Sequence, residues 1–169
     1  TKIYGTDHLY SADTFNENVP PTKDSTYLSS ISKKIFASMR AADSKATWVM
    51  QGWMFHYNSS YWKPTQMQAL LHAVPDDGMI VLDLYSESFP LWKKTNAYYG
   101  KPWIWNMLHN FGGNISLWGR ISNPAKDPSS ALHDPASGKM AGIGLTPEAI
   151  EQNPALYQLM LDNIWTDQP

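Results

Sequence analysis

A chain of 169 residues with 43% hydrophobic content can bury a substantial core, and its composition carries no mark of disorder. A formal net charge of -2, with lysine and arginine scattered rather than striped, gives no electrostatic footprint for nucleic acid or anionic lipid. The lack of cysteine rules out a disulfide framework or thiolate metal site in this segment, and no apolar run approaches the roughly 18 residues of a membrane span, so no membrane insertion is expected.

An initial strand is expected near Asp7 to Ala12. From Asp24 to Asp43 the apolar residues Leu28, Ile31, Ile35, Met39 and Ala42 recur at spacings of three and four, which predicts an amphipathic helix. Asp24 and Ser25 are its N-cap candidates, and Pro20 and Pro21 keep it from starting earlier. Ala46 to Gln51 reads as a short buried strand. After a loop, Pro64 opens a second helix with Met67, Leu70, Leu71 and Val74 inward and Pro75 as its end.

Met79 to Leu84 is a nearly continuous apolar run of strand length behind Asp76-Asp77-Gly78, the pattern of a parallel strand covered on both faces. Trp103 to Leu108 and Ala141 to Leu145 are further strand candidates. Asn123 to Gly138, rich in Pro, Ser and Asp, reads as a loop, and Asn153-Pro154 caps a last helix carrying Leu156, Leu159 and Met160. Five strands alternating with helices or long connections predict an α/β fold with a parallel sheet. A complete (β/α)8 TIM-type barrel typically needs about 250 residues, so an incomplete segment of about five β/α units is expected.

In such folds function collects where the strands end and the βα loops begin. Asn16-Glu17 follows the first strand, Gln51-Gly52-Trp53 the second, Asp83 to Glu87 the third, His109-Asn110 the fourth and Glu148 the fifth. Two carboxylates reaching one rim from different strands are what glycoside hydrolysis needs: one protonates the leaving oxygen while the other attacks the anomeric carbon or activates water. Glu17 and Glu148 fit those places. Asp83, inside an apolar strand, reads as structural support, and Glu87 as either a helix start or a hydroxyl contact.

Eight Trp, nine Tyr and five Phe exceed the needs of an ordinary core, and aromatic faces at a pocket wall can stack on sugar rings. None of the five histidines shows a metal-ligand spacing, so no metal is expected. Nor is there a GxGxxG, Walker or GxSxG element, which counts against nucleotide binding and serine-hydrolase chemistry.

The segments Ala12-Asp-Thr-Phe-Asn-Glu17, Thr47-Trp-Val-Met-Gln-Gly-Trp53, Val81-Leu-Asp-Leu-Tyr-Ser-Glu-Ser88, Met107-Leu-His-Asn-Phe-Gly-Gly-Asn114 and Thr146-Pro-Glu148 together resemble the α-N-acetylglucosaminidases of glycoside hydrolase family 89. The resemblance implies a retaining exo-glycosidase acting on terminal non-reducing α-N-acetylglucosamine in glycans such as heparan sulfate, lysosomal or secreted, with a carbohydrate as its partner and no cofactor. It places the acid/base at Glu17, kept protonated by a poorly solvated site, and the nucleophile at Glu148. Asn16, Trp53 and Leu84 fall on sugar-contact positions and His109 and Asn110 on the rim. Family members are several times longer, so residues 1–169 are expected to be part of a catalytic barrel whose flanking domains lie outside this chain. A glycosidase of different sugar preference and a non-catalytic carbohydrate-binding homologue stay open as alternatives.

Overall fold

The computed structural model describes residues 3, 5–109 and 119–165. Five strands, β1 (Leu9–Ser11), β2 (Thr47–Gln51), β3 (Met79–Asp83), β4 (Trp103–Met107) and β5 (Met140–Leu145), form one parallel sheet in the order β1-β2-β3-β4-β5. The expected segment of a β/α barrel is therefore what these residues build. Between the strands run α1 (Ser25–Ala42), α2 (Trp53–Tyr57), α3 (Pro64–Leu71), α4 (Leu91–Lys94), a helical turn α5 (Asn96–Tyr99) and α6 (Ser122–His133), with α7 (Pro154–Asp162) after β5.

The register sorts side chains onto two faces, because residues paired between parallel strands point the same way. Trp48 pairs with Met79 and Met50 with Val81, and Trp103 continues this row from Val81. These residues are buried with Leu28, Leu70, Leu71, Val74 and Trp92 in a core beneath the helices. Val49, Ile80, Leu82 and Ile104 point to the other face and are half-buried. Half-buried apolar side chains on the face away from this core are what the interior of a barrel presents where its circuit is open.

Local chemistry fixes the helices. Asp24 caps α1, its carboxylate accepting from Thr26 N at 2.9 Å. Ser29 and Ser32 of α1 donate to the carbonyls of Ala69 and Leu70, tying α1 to α3, while Ala42, counted in the apolar spacing of α1, is exposed. Helix α3 stops at Leu71, and Pro75 instead leads a 3-10 turn, Asp76–Gly78, into β3.

The predicted loop from Asn123 to Gly138 is the one large misreading, since α6 occupies Ser122–His133. Pro124 lies in its first turn, where the missing N–H would have no helical partner. Pro128 lies inside and leaves the Pro124 carbonyl without its usual donor, and Asn163 Nδ2 supplies one at 2.5 Å. Pro124, Pro128 and Ala131, spaced by four and three, are the buried face.

At the opposite end of the sheet from the βα loops, Lys101 is 1% exposed and enters β4. Its ammonium donates to the Val74 carbonyl and pairs with Asp76 Oδ1 at 2.8 Å, while Lys139, entering β5, takes Asp76 Oδ2. Hydrogen bonds from Lys101 and then Lys139 hold the Asp76 carboxyl down at about 2. Lys101→Met in the intact protein is expected to cost about 1–3 kcal/mol in chemical denaturation, because it strips the donor from the Val74 carbonyl. Unchanged stability would show that the cluster is incidental.

Candidate functional site at the carboxyl ends of the strands

Every predicted site residue that the structure describes lies just after a strand's C-terminal end; Asn110 falls outside the described residues. Glu17 and Glu148 stand on the loops leaving β1 and β5, the two edges of the sheet, with three strands between them. Both are exposed. The described surroundings of Glu17 are thus not the poorly solvated site expected of an acid. Beside it, Asn16 is half-buried, and its Oδ1 is buried without a hydrogen-bond partner among the described residues.

The Glu148 segment is tied to the middle of the rim. Thr146 N donates to the Met107 carbonyl at 3.0 Å and Thr146 Oγ1 to the Leu84 carbonyl at 2.8 Å, so the loop after β5 is anchored to the ends of β3 and β4. Leu84 is half-buried there.

Trp53 opens α2, half-buried, behind Gly52, whose N–H reaches the Leu82 carbonyl of β3 at 2.8 Å. Glycine is required at position 52: a Cβ would lie 2.8 Å from the Tyr98 hydroxyl and 3.0 Å from the Leu82 carbonyl oxygen. Tyr98 is fully buried in α5, where Asn96, Ala97, Tyr98 and Tyr99 all hold left-handed φ values of 48 to 53°. Each such residue costs about 1–2 kcal/mol, so this turn persists only because its packing fixes it.

Asp83 is the structural residue its place in β3 suggests. Fully buried, it accepts from Leu91 N at 3.2 Å and Trp92 N at 3.0 Å at the start of α4, and burial pushes its carboxyl up to about 6. Glu87 lies in a turn and starts no helix, since α4 begins only at Leu91. At 6% exposure its carboxyl accepts from His109 N at 2.5 Å and Leu108 N at 3.3 Å, and thereby fixes the end of β4. Burial pushes this carboxyl up to about 7 against those hydrogen bonds.

His109 is buried with a left-handed φ of 62°, and burial lowers its imidazole's pKa. A Cβ on Gly119 would come within 2.7 Å of the His109 ring, so that position too requires glycine. Around this pair lies a cavity of about 580 Å³, lined by Tyr85, Glu87, Phe89, His109 and Arg120 among others.

Sequence reasoning missed Asp13, whose carboxyl, raised by burial, accepts from the Gln51 backbone across β1 and β2. Its place two residues past a strand end was a usable signal. Among the described residues no cluster of three or more acidic or histidine side chains could hold a metal, and no helix is long and apolar enough to cross a membrane.

A segment of parallel β/α barrel with polar groups gathered at its strands' carboxyl ends defines the class. Residues 1–167 match the model of the α-N-acetylglucosaminidase (NAGLU) TIM-barrel domain, and the chain belongs to that family. It is 43% identical over 168 residues to human α-N-acetylglucosaminidase, covering 99% of this chain and 22% of that protein. Among solved structures it is similar to a Clostridium perfringens family 89 protein with two glutamate-to-glutamine substitutions, in complex with its substrate GlcNAc-α-1,4-galactose. That match has a TM-score of 0.76 and 33% identity and covers 94% of this chain and 16% of the other. The family 89 glycoside hydrolase of the same organism in complex with PUGNAc matches with TM-score 0.76 and 34% identity, over 94% of this chain and 17% of its own. The chain therefore spans about a fifth of the length of the human relative.

The raised Glu87 carboxyl carries a pH signature. Folding favours its protonated form between the ordinary value of 4.5 and about 7, so its contribution to stability is full below about 4.5 and is lost as pH rises through about 7. Glu87→Gln, which keeps one acceptor oxygen, is expected to cost about 1–3 kcal/mol at acid pH, with the gap from wild type narrowing toward neutrality. Denaturation of the intact protein at both ends of this window checks it; a gap independent of pH would count against the buried carboxyl as its cause.

Proposed function

We propose that the protein to which residues 1–169 contribute part of the catalytic barrel is a retaining exo-glycosidase that releases terminal non-reducing α-N-acetylglucosamine from glycans such as heparan sulfate, in a lysosomal or secreted setting. The observation that carries this reading is the placement of Glu17 and Glu148 on loops leaving one end of a parallel sheet, four strand pairings apart. In a closed circuit of eight strands, four steps is the diametrically opposite position. Strands about 4.8 Å apart and tilted by about 36° give a barrel roughly 15 Å across. Retention needs carboxyl groups about 5 Å apart, so each glutamate would extend inward by about 5 Å. The bacterial relative supports the reading, since its complex with GlcNAc-α-1,4-galactose pairs that substrate with exchanges at two glutamates.

In this mechanism Glu17 donates its proton to the glycosidic oxygen as the Glu148 carboxylate attacks the anomeric carbon. The C–O bond to the leaving group breaks and a glycosyl ester on Glu148 forms. Water, losing its proton to Glu17, then displaces the ester, and the sugar departs with its configuration retained. Trp53 holds the sugar face, Leu84 borders the acetamido group, and Asn16 lines the sugar site beside Glu17. His109 and Asn110 complete the rim.

Glu17→Gln in the intact enzyme is expected to lose roughly 10²–10⁴-fold in rate on natural glycosides and far less on activated leaving groups, which need no proton. Equal losses on both would remove the acid role. Glu148→Gln is expected to abolish the glycosyl-enzyme with every leaving group; a sugar trapped on another residue, or an inverted first product by NMR, would overturn the assignment. Trp53→Ala is expected to raise KM roughly three- to tenfold while the fold survives.

A further inference from the structure

Aromatic rings continue past Trp53 along the rim. The Trp53 and His56 rings meet with centroids 4.9 Å apart, His56 and Phe89 at 4.4 Å, and Phe89 and Tyr85 at 5.4 Å. Trp53 and His56 belong to α2 after β2, and Tyr85 and Phe89 to the loop after β3, so the strip crosses two βα loops. Phe89 is left 39% exposed, and Trp53 and His56 are only partly covered. Burial lowers the His56 pKa, with nearby Lys94 adding to this. At its far end Tyr85 and Phe89 become the wall of the 580 Å³ cavity, whose polar lining includes Ser88 and Arg120. That volume is within the usual range for a small-molecule site.

An apolar strip with hydroxyl and guanidinium donors at one end is matched by a saccharide, whose C–H faces stack on rings while its hydroxyls take the donors. The strip begins at the residue assigned to the terminal sugar and leads away from it. We propose that His56, Phe89 and Tyr85, with the Ser88 and Arg120 lining of the cavity, form the subsite for the sugar on the leaving-group side of the scissile bond. The inference rests on the glycosidase reading for its orientation. The disaccharide GlcNAc-α-1,4-galactose held by the bacterial relative has the extra ring such a subsite would take.

Phe89→Ala tests this in the intact protein, since its ring is exposed and its removal leaves the core intact. Two probes are used, GlcNAc-α-1,4-galactose and methyl α-N-acetylglucosaminide, each followed by hydrolysis and by calorimetric binding. The expected result is a roughly three- to tenfold loss of kcat/KM and of affinity for the disaccharide, with less than about twofold change for the methyl glycoside. His56→Ala provides the independent second variant and should show the same selectivity. Equal losses on both probes, or a loss of thermal stability without selectivity, would overturn the subsite and mark the strip as covered by another part of the protein. Selective binding without hydrolysis would uphold the strip as a sugar site but remove the glycosidase reading and, with it, the leaving-group assignment. Neither binding nor hydrolysis would remove both.

Discussion

The rim depends on a carboxyl group that solvent does not reach. Asp83 closes β3 with its side chain turned into the helix layer, and its two oxygens take the first N–H groups of α4. Its own carbonyl accepts the Ser86 hydroxyl at 2.8 Å, so strand end, turn and helix start are held by one residue. Leu84, Glu87 and Phe89 all lie in the span this residue closes. The helix so started brings Trp92 onto Trp103 with centroids 5.4 Å apart and planes 17° from parallel, which joins the loop to the core. A buried carboxyl costs desolvation unless its oxygens are occupied, and here the geometry of the turn occupies them.

Below that turn, the left-handed run Asn96–Tyr99 presses Tyr98 against Gly52 and Asp83, and Thr146 fastens the loop after β5 to the Leu84 carbonyl. Gly52, just before Trp53, and the Glu148 segment are thus tied to backbone carbonyls at the ends of β3 and β4. Such placement allows site residues to be half-exposed and still well positioned for a ligand.

Much of this was legible in the sequence because the dominant signals there are periodic. The three- and four-residue spacing of Leu28, Ile31 and Ile35 gave α1 with its Asp24 cap, and the apolar run from Met79 gave β3. Helix α6 was hidden because two prolines dominate its composition, although Pro124, Pro128 and Ala131 already carry a helical face. What repairs its backbone, Asn163, is far along the chain, and no local pattern announces such a donor. The role of Glu87 was illegible for the same reason: its partners are backbone groups of β4, and its Ser86-Glu87-Ser88 setting looks like an ordinary turn. The left-handed turn left no trace at all, since Asn-Ala-Tyr-Tyr lacks glycine. The assignment of Glu17 and Glu148 came from motif resemblance together with the position of strand ends, not from any property either glutamate shows alone.

The strand order has a consequence for how the protein is made. Each strand pairs with the one synthesised next, so every hydrogen-bonded ladder among these five closes over a short loop of chain and little closure entropy. A nascent chain can add one β/α unit at a time as it leaves the ribosome, each strand serving as template for its successor. The outer edge of β1 is the exception. Among the described strands β1 pairs only with β2, so its other edge offers a row of backbone groups to a strand from the rest of the protein. The interval before that edge is covered is when aggregation competes with folding, and the brevity of β1, three residues, keeps the exposed template small.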